Sequence, residues 1–297
     1  RYFGALRQPY APAPRPAAAK RQIRVAVVTH PHGTQLGSGE ILPLVREACA
    51  RQPDLIVTTE MEGSAIPDTP PVAEELEAMV AAAAGAGSYL IVGGIRAVCE
   101  DQPPLPDGQP KRGSHAWLWN RKGERVLESR IMLYGYGCGQ PVYDTDFGRI
   151  GIRLCGDIYA PELDRLFALQ GVDLVCNPSM SWGASGLINT ELNQVRAMDN
   201  GHFIVSAHLS LSDPGQRSHV IDPTGAVVAA SAYWGTSVFV ADLDLDAPRG
   251  SCFVRGGTRE VPPGSYLERF RTPDAYRPVP PEELLRLRRP ELYIGLD

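Results

Sequence analysis

The polarity of the chain switches between two periods, and each switch marks an element. Ile23-Arg24-Val25-Ala26-Val27-Val28, Asp54-Leu55-Ile56-Val57-Thr58-Thr59 and Tyr89-Leu90-Ile91-Val92-Gly93-Gly94 are short apolar runs of strand length. Between them the apolar positions recur with helical spacing. Ile41, Leu44, Val45, Ala48 and Cys49 form one face, and Val72, Leu76, Met79, Val80 and Ala83, after Pro70-Pro71, form a second. Strand, helix, strand, helix, strand predicts a sheet with crossover connections. A polar, proline-bearing loop over 101–114 comes next, then a hairpin with arms 116–120 and 124–127 around Arg121-Lys122-Gly123. The alternation then returns: a strand over 149–154, a helix over 161–170, a strand over 172–176, a helix carrying Ile188, Leu192 and Val195, a strand over 202–207, and a hairpin around Asp222-Pro223-Thr224-Gly225. Two sheets facing each other with helices outside would bury both sets, which makes the fold α/β.

The ends differ from this middle. Pro9, Pro12, Pro14 and Pro16 exclude a helix from residues 1–20, which read as an extended Pro/Ala-rich arm, and the domain occupies 21–246. From 247 to 297 the chain is Pro/Arg-rich, with a short helix predicted over 282–289; such a tail is expected to dock on a partner subunit.

Composition narrows the function classes. At 297 residues, 43% hydrophobic and 21% charged, the chain can bury a large core. A formal charge of -5 and a pI near 5.7 offer no basic field for nucleic acid or an anionic membrane, and no apolar window reaches membrane-spanning length. A small-molecule substrate is therefore the expected partner. Cys49, Cys99, Cys138, Cys155, Cys176 and Cys252 show neither CxxC nor Cys/His ligand spacing, which argues against structural zinc and a disulfide framework and fits a reducing, cytoplasmic setting. No GxGxxG follows the first strand, so a dinucleotide-binding domain is disfavoured, and no apolar signal core is expected at the start.

The chemistry is sought at Arg149-Ile150-Gly151-Ile152-Arg153-Leu154-Cys155-Gly156-Asp157, a strand that ends abruptly at a thiol, with Gly156 able to take an unusual backbone angle and Pro161 suited to the first turn of the next helix. Strand ends before helices are where open α/β sheets place reactive groups. A buried, inert core thiol is the competing reading. Glu60 ends its strand as Cys155 does, so a common sheet edge would join a thiol to a base; a solvated strand-end carboxylate is the alternative.

These residues resemble the nitrilase, or carbon–nitrogen hydrolase, superfamily. Asp54 to Glu60 is similar to its strand ending in the catalytic glutamate, and Asp144-Thr145-Asp146-Phe147-Gly148-Arg149-Ile150-Gly151 to the run before its nucleophile. Cys155-Gly156-Asp157 with Pro161-Glu162 is similar to its cysteine elbow, and Arg196-Ala197-Met198-Asp199-Asn200 to its Arg-Ala-x-Glu-Asn helix end. The resemblance covers roughly residues 23–246. It implies a four-layer α-β-β-α sandwich, a homodimer or larger homo-oligomer, and hydrolysis or acyl transfer at a small amide, ureide or nitrile through a thioester or thioimidate at Cys155, with no metal or cofactor. The Gly156 N–H would supply part of the oxyanion hole, and Trp182 would wall the pocket unless it packs on its own helix.

One position departs from the pattern. The family's catalytic lysine falls on Ile131, and no lysine follows Lys122 anywhere in the chain. Arg130 would replace the charge only if its strand slipped by one residue, which reverses every side chain. The expectation is therefore an enzyme with an atypical oxyanion site, and the alternative a non-catalytic binding or scaffolding protein, or one turned to a non-hydrolytic reaction. Asp157 is expected to order the elbow, Cys49, Cys99 and Cys176 to be core thiols, Cys138 to be either inert or a second reactive thiol, and His115, His202, His208 and His219 to be structural.

Overall fold

In the computed structural model, residues 20–132, 141–180, 189–209, 217–232 and 235–246 are described, except for the side chains of 62–65. Trp182, Cys138, Cys252, the tail and all of the arm but Lys20 lie outside these residues. The first set of elements is β1 (Gln22–Thr29), α1 (Ile41–Cys49), β2 (Leu55–Ala65), α2 (Pro70–Gly85), β3 (Tyr89–Val98), β4 (Arg112–Trp119) and β5 (Arg125–Arg130). The second is β6 (Val142–Asp144), β7 (Arg149–Ile152), α3 (Pro161–Leu169), β8 (Leu174–Ser179), α4 (Asn189–Asn200), β9 (Phe203–His208), β10 (His219–Ile221), β11 (Val227–Ala230) and β12 (Ser237–Asp244).

Two six-stranded sheets result, in the orders β12-β1-β2-β3-β4-β5 and β11-β10-β9-β8-β7-β6. In each, three adjacent strands run parallel and the flanking ones antiparallel. The parallel strands are apolar on successive residues because both faces are covered. Val25, Val27, Leu55, Val57 and Ile91 face Ile150, Ile152, Leu174, Cys176 and Val205 of the other sheet. Ala26, Val28, Ile56, Leu90 and Val92 face α1 and α2. Val175, Ile204 and Ile221 meet Leu163 and Phe167 of α3 and Ala197 of α4. The layers are thus α-β-β-α, as the resemblance implies. No helix among the described residues is long and apolar enough to cross a membrane.

Several boundaries differ from the sequence reading. β4 begins at Arg112, inside the expected loop, and β2 runs past Glu60 to Ala65. β12 is a strand the periodicity did not single out, and it pairs with β1 in the first sheet. Cys99 and Cys176 are buried as expected, whereas Cys49 is half-buried at the rim of the outer core.

His115, His202, His208 and His219 are interior groups. His202 Nε2 lies 3.2 Å from Asp164, His208 Nε2 2.7 Å from Ser206 Oγ, and the His208 and His219 rings stack at 5.3 Å. His219 Nε2 accepts from Asn193 while Nδ1 donates to the Arg217 carbonyl at 2.8 Å, which suits a neutral ring. Burial lowers its pKa to about 4. The unfolded chain then binds more protons than the folded one between pH 6.5 and 4, so stability falls as pH drops through that window, by on the order of 3 kcal/mol from this ring. Unfolding free energies from urea titrations at a series of pH values are expected to fall more steeply with decreasing pH in the native protein than in His219→Gln over that window alone.

Candidate active site

The two sheets bring Glu60 and Cys155 together. Glu60 lies within β2 at a shift of register, where it pairs with Gly93 of β3. That shift needs two glycines. A Cβ on Gly94, at φ +79°, would lie 2.2 Å from Met61 N, and one on Gly93 would lie 2.3 Å from Pro178 Cβ and 3.3 Å from Glu60 Cα. Gly93 thus lets β8 of the second sheet approach the acid. Gly93→Ala is expected to cost about 1–3 kcal/mol in urea unfolding and to change the rate at which iodoacetamide alkylates Cys155; an unaltered rate would separate this contact from the site.

The sulfur is presented by strain. Cys155 follows β7 and opens a 3-10 turn, Cys155–Tyr159, with φ +44°, the left-handed region that non-glycine residues rarely adopt. The unusual angle was expected at Gly156; it falls on Cys155 because the chain reverses in one residue, drawn in by Asp157. Asp157 Oδ2 accepts from Leu154 N–H at 3.1 Å and Oδ1 from Met132 N–H at 2.8 Å. One buried carboxylate therefore clamps the elbow to the chain just beyond Ile131. Such strain costs on the order of 1–3 kcal/mol and is held only where the surroundings fix it.

Glu60 is buried, 6% exposed, and hydrogen-bonded on both oxygens. Ser114 Oγ donates to Oε1 at 2.7 Å, Met180 N–H donates to Oε2 at 3.1 Å, and the Cys155 thiol hydrogen-bonds the same carboxylate. Burial raises the Glu60 pKa, with the Asp157 charge adding to it, against the three hydrogen bonds. Burial also raises the Cys155 thiol, and the Glu60 charge adds to that, while Met180 N–H and Ser179 oppose it. The proton of the pair therefore rests on sulfur, with a carboxylate of raised basicity in contact to receive it. A half-buried thiol on a strained turn, facing a buried acid, can attack an electrophilic carbon and lose its proton in the same step.

Ile131 lies in the core between the sheets, 6% exposed, its N–H donating to the Ser114 carbonyl at 3.2 Å. Arg130 pairs with Asp101 and lies 3.5 Å from Glu128; its neighbour Ser129 points to the other sheet and donates to the Ile152 carbonyl. The guanidinium therefore lies on the face of β5 away from Glu60, and the strand has not slipped. Sequence reasoning missed Ser114 and the Ser179 hydroxyl, both assigned to loops, and the Met180 N–H, whose role no side-chain pattern signals.

Comparison with known proteins bears on the family and the fold. The carbon–nitrogen hydrolase family profile matches residues 24–249. A nitrilase of Bradyrhizobium diazoefficiens is 27% identical over 195 residues, covering 58% of this chain and 59% of its own. The deaminated glutathione amidase of Rattus norvegicus is 30% identical over 127 residues, covering 40% and 38%. The chain thus spans less than two thirds of the length of these relatives. An amidase from Nesterenkonia sp. shares the fold, with a TM-score of 0.60 and 22% identity over 78% of this chain and 94% of that one.

Proposed function

The chain belongs to the carbon–nitrogen hydrolase family, and on that premise we propose that it hydrolyses a small amide, ureide or nitrile through a covalent intermediate at Cys155. The observation that carries this reading is the hydrogen bond between the Cys155 thiol and the buried Glu60 carboxylate. For an amide, Sγ bonds to the carbonyl carbon as its proton passes to Glu60, and the carbonyl π electrons move to oxygen. The carbonyl re-forms, the C–N bond breaks, and Glu60 returns the proton to nitrogen, releasing ammonia or an amine. Water then adds to the thioester, giving a proton to Glu60; the S–C bond breaks and the thiolate is reprotonated. For a nitrile, Sγ adds to the nitrile carbon while its proton passes through Glu60 to nitrogen, giving a thioimidate with nothing released; one water then adds and ammonia leaves as the thioester forms, and a second water hydrolyses that thioester as above.

Backbone N–H groups from Gly156 onward are assigned part of the oxyanion site, and Asp157 holds them in place. Trp182 is assigned to the pocket wall. Support by analogy comes from the Nesterenkonia amidase, known as one mutant in complex with butyramide and as another with the acetamide moiety of fluoroacetamide covalently added at its active-site cysteine.

The competing reading, a non-catalytic descendant, is favoured by hydrocarbon at Ile131, since one lost oxyanion donor typically costs about a hundredfold to a thousandfold in turnover. Exposure to fluoroacetamide and iodoacetamide, followed by peptide mass spectrometry, separates the two. Preferential adducts on Cys155, lost in Cys155→Ala, support the hydrolase; labelling of Cys155 no faster than of Cys49 supports the binder.

A further inference from the structure

Each oxygen of the Glu60 carboxylate has its own donor, and the two donors come from different sheets. Ser114 Oγ of β4 donates to Oε1 at 2.7 Å, and the Met180 N–H, just beyond β8, donates to Oε2 at 3.1 Å. The torsion that turns a glutamate's carboxylate is broad and roughly two-fold, so the side chain alone does not fix its plane. Donors on both oxygens do, and they thereby decide which lone pair meets the Cys155 thiol.

The Ser114 bond spans a strand. β3 lies between β2 and β4, and strands two apart are separated by about 9.5 Å. Glu60 and Ser114 meet across the stretch of β3 where Gly93 and Gly94 carry no side chains and the register shifts against both neighbours. A Cβ on Gly93 would lie 3.3 Å from Glu60 Cα. Ser114 is itself held. It shares the inward face of β4 with Ala116 and Leu118, pairs with Arg96 of β3, and its carbonyl accepts the Ile131 N–H at 3.2 Å. The next N–H along, that of Met132, is bound by Asp157 of the elbow. The hydroxyl is therefore delivered from a backbone anchored on both sides, and one anchor leads to the turn that presents the thiol.

We infer that Ser114 is a positioning residue of the reaction: its hydroxyl holds the Glu60 carboxylate in the plane from which it takes the thiol proton and returns it to the leaving nitrogen. This rests on the reading of Cys155 and Glu60 as the reacting pair, and adds a third side chain that acts only through the acid. Deleting the hydroxyl has two effects. A donor that stabilises the ionised carboxylate is lost, so Glu60 becomes more basic, and the plane is released, so fewer of its approaches to the thiol are productive. A serine that only filled space would change stability and leave the titration of Glu60 where it was.

The test compares the purified full chain with Ser114→Ala and Ser114→Thr on propionamide and butyramide across the acid and neutral range, reading ammonia release and following acyl adducts at Cys155 by intact-mass spectrometry. In Ser114→Ala the plateau kcat is expected to fall by about tenfold to a hundredfold with KM nearly unchanged, and the acid limb of kcat/KM to move to higher pH. Ser114→Thr, which keeps the hydroxyl, is expected to return both limb and rate to near native. Ser114→Thr against Ser114→Val, equal in shape and different in the hydroxyl, repeats the comparison without relying on the alanine variant. An acid limb that stays at its native position in the variants lacking the hydroxyl, or a plateau rate there within about threefold of the hydroxyl-bearing chain, overturns this inference and leaves the hydrolase reading intact. Absence of both ammonia and a Cys155 adduct with the native chain overturns the hydrolase reading, and this one with it.

Discussion

Glu60→Gln is expected to lower kcat on any amide the native chain turns over by about a hundredfold to ten-thousandfold, the range spanned by a positioned proton-transfer group. The amide has the carboxylate's shape, so the loss falls on chemistry rather than on packing. Without an acceptor the thiol must ionise unaided, in a site where burial already opposes the thiolate. The native pH profile carries the same signature. Glu60 works as a base only when ionised, and burial moves its titration above the ordinary carboxylate range, so the acid limb of kcat/KM should rise at a pH above about 4.3. In the glutamine variant the residual rate should lose that limb. Stability runs the other way: the raised carboxyl favours the folded state most below its unfolded pKa, and that contribution disappears as pH rises through the folded value. A glutamine variant within threefold of native turnover would remove Glu60 from the reaction.

Asp164→Ala is expected to destabilise the protein by about 3–5 kcal/mol, because it strands a charge. Arg153 and Asp164 are both wholly buried and ion-paired, and Arg153 also bonds Asn193 of α4. Burial alone would raise Asp164, yet Arg153, His202 and Arg196 outweigh it and hold the carboxyl below its usual range. Removing the carboxylate leaves a guanidinium in the interior between β7 and the helices, two residues from the strained thiol. Urea unfolding should show a lower midpoint at an unchanged slope. The double replacement Arg153→Met/Asp164→Leu should recover most of the loss, since a pair deleted together leaves no orphan charge. A single variant losing less than about 1 kcal/mol, the range of exposed pairs, would show that water or another group solvates Arg153.

The layered fold was legible because strands buried on both faces must be apolar on successive residues, and 25–28, 55–57 and 89–92 are. β12 was not, because its partner β1 lies at the other end of the domain and no local pattern names a partner. At the site, Cys155 and Glu60 stood out as reactive groups at strand ends, and the structure places them in contact. Ser114 stayed hidden because Arg112-Gly113-Ser114 is polar where the strand lines the site, and polarity reads as loop. The role of Arg153 was hidden for a related reason: it alternates with apolar Ile152 and Leu154, yet α3 and α4 cover its face, and its neighbours there are an acid and an amide. Which way Arg130 points was settled by its pairing with His115 across β4 and β5, a register that composition does not encode.

Glu60 rides on one sheet and Cys155 on the other, so the gap the proton must cross is a dimension of the sandwich and of neither layer alone. On the proposed reaction, purely hydrocarbon residues such as Val57 and Leu174, which pack in the core between the layers, would act as spacers of the proton transfer. Trimming or lengthening them by one methylene would retune the proton transfer while leaving every polar atom of the site untouched, and hydrostatic compression would do the same without any mutation.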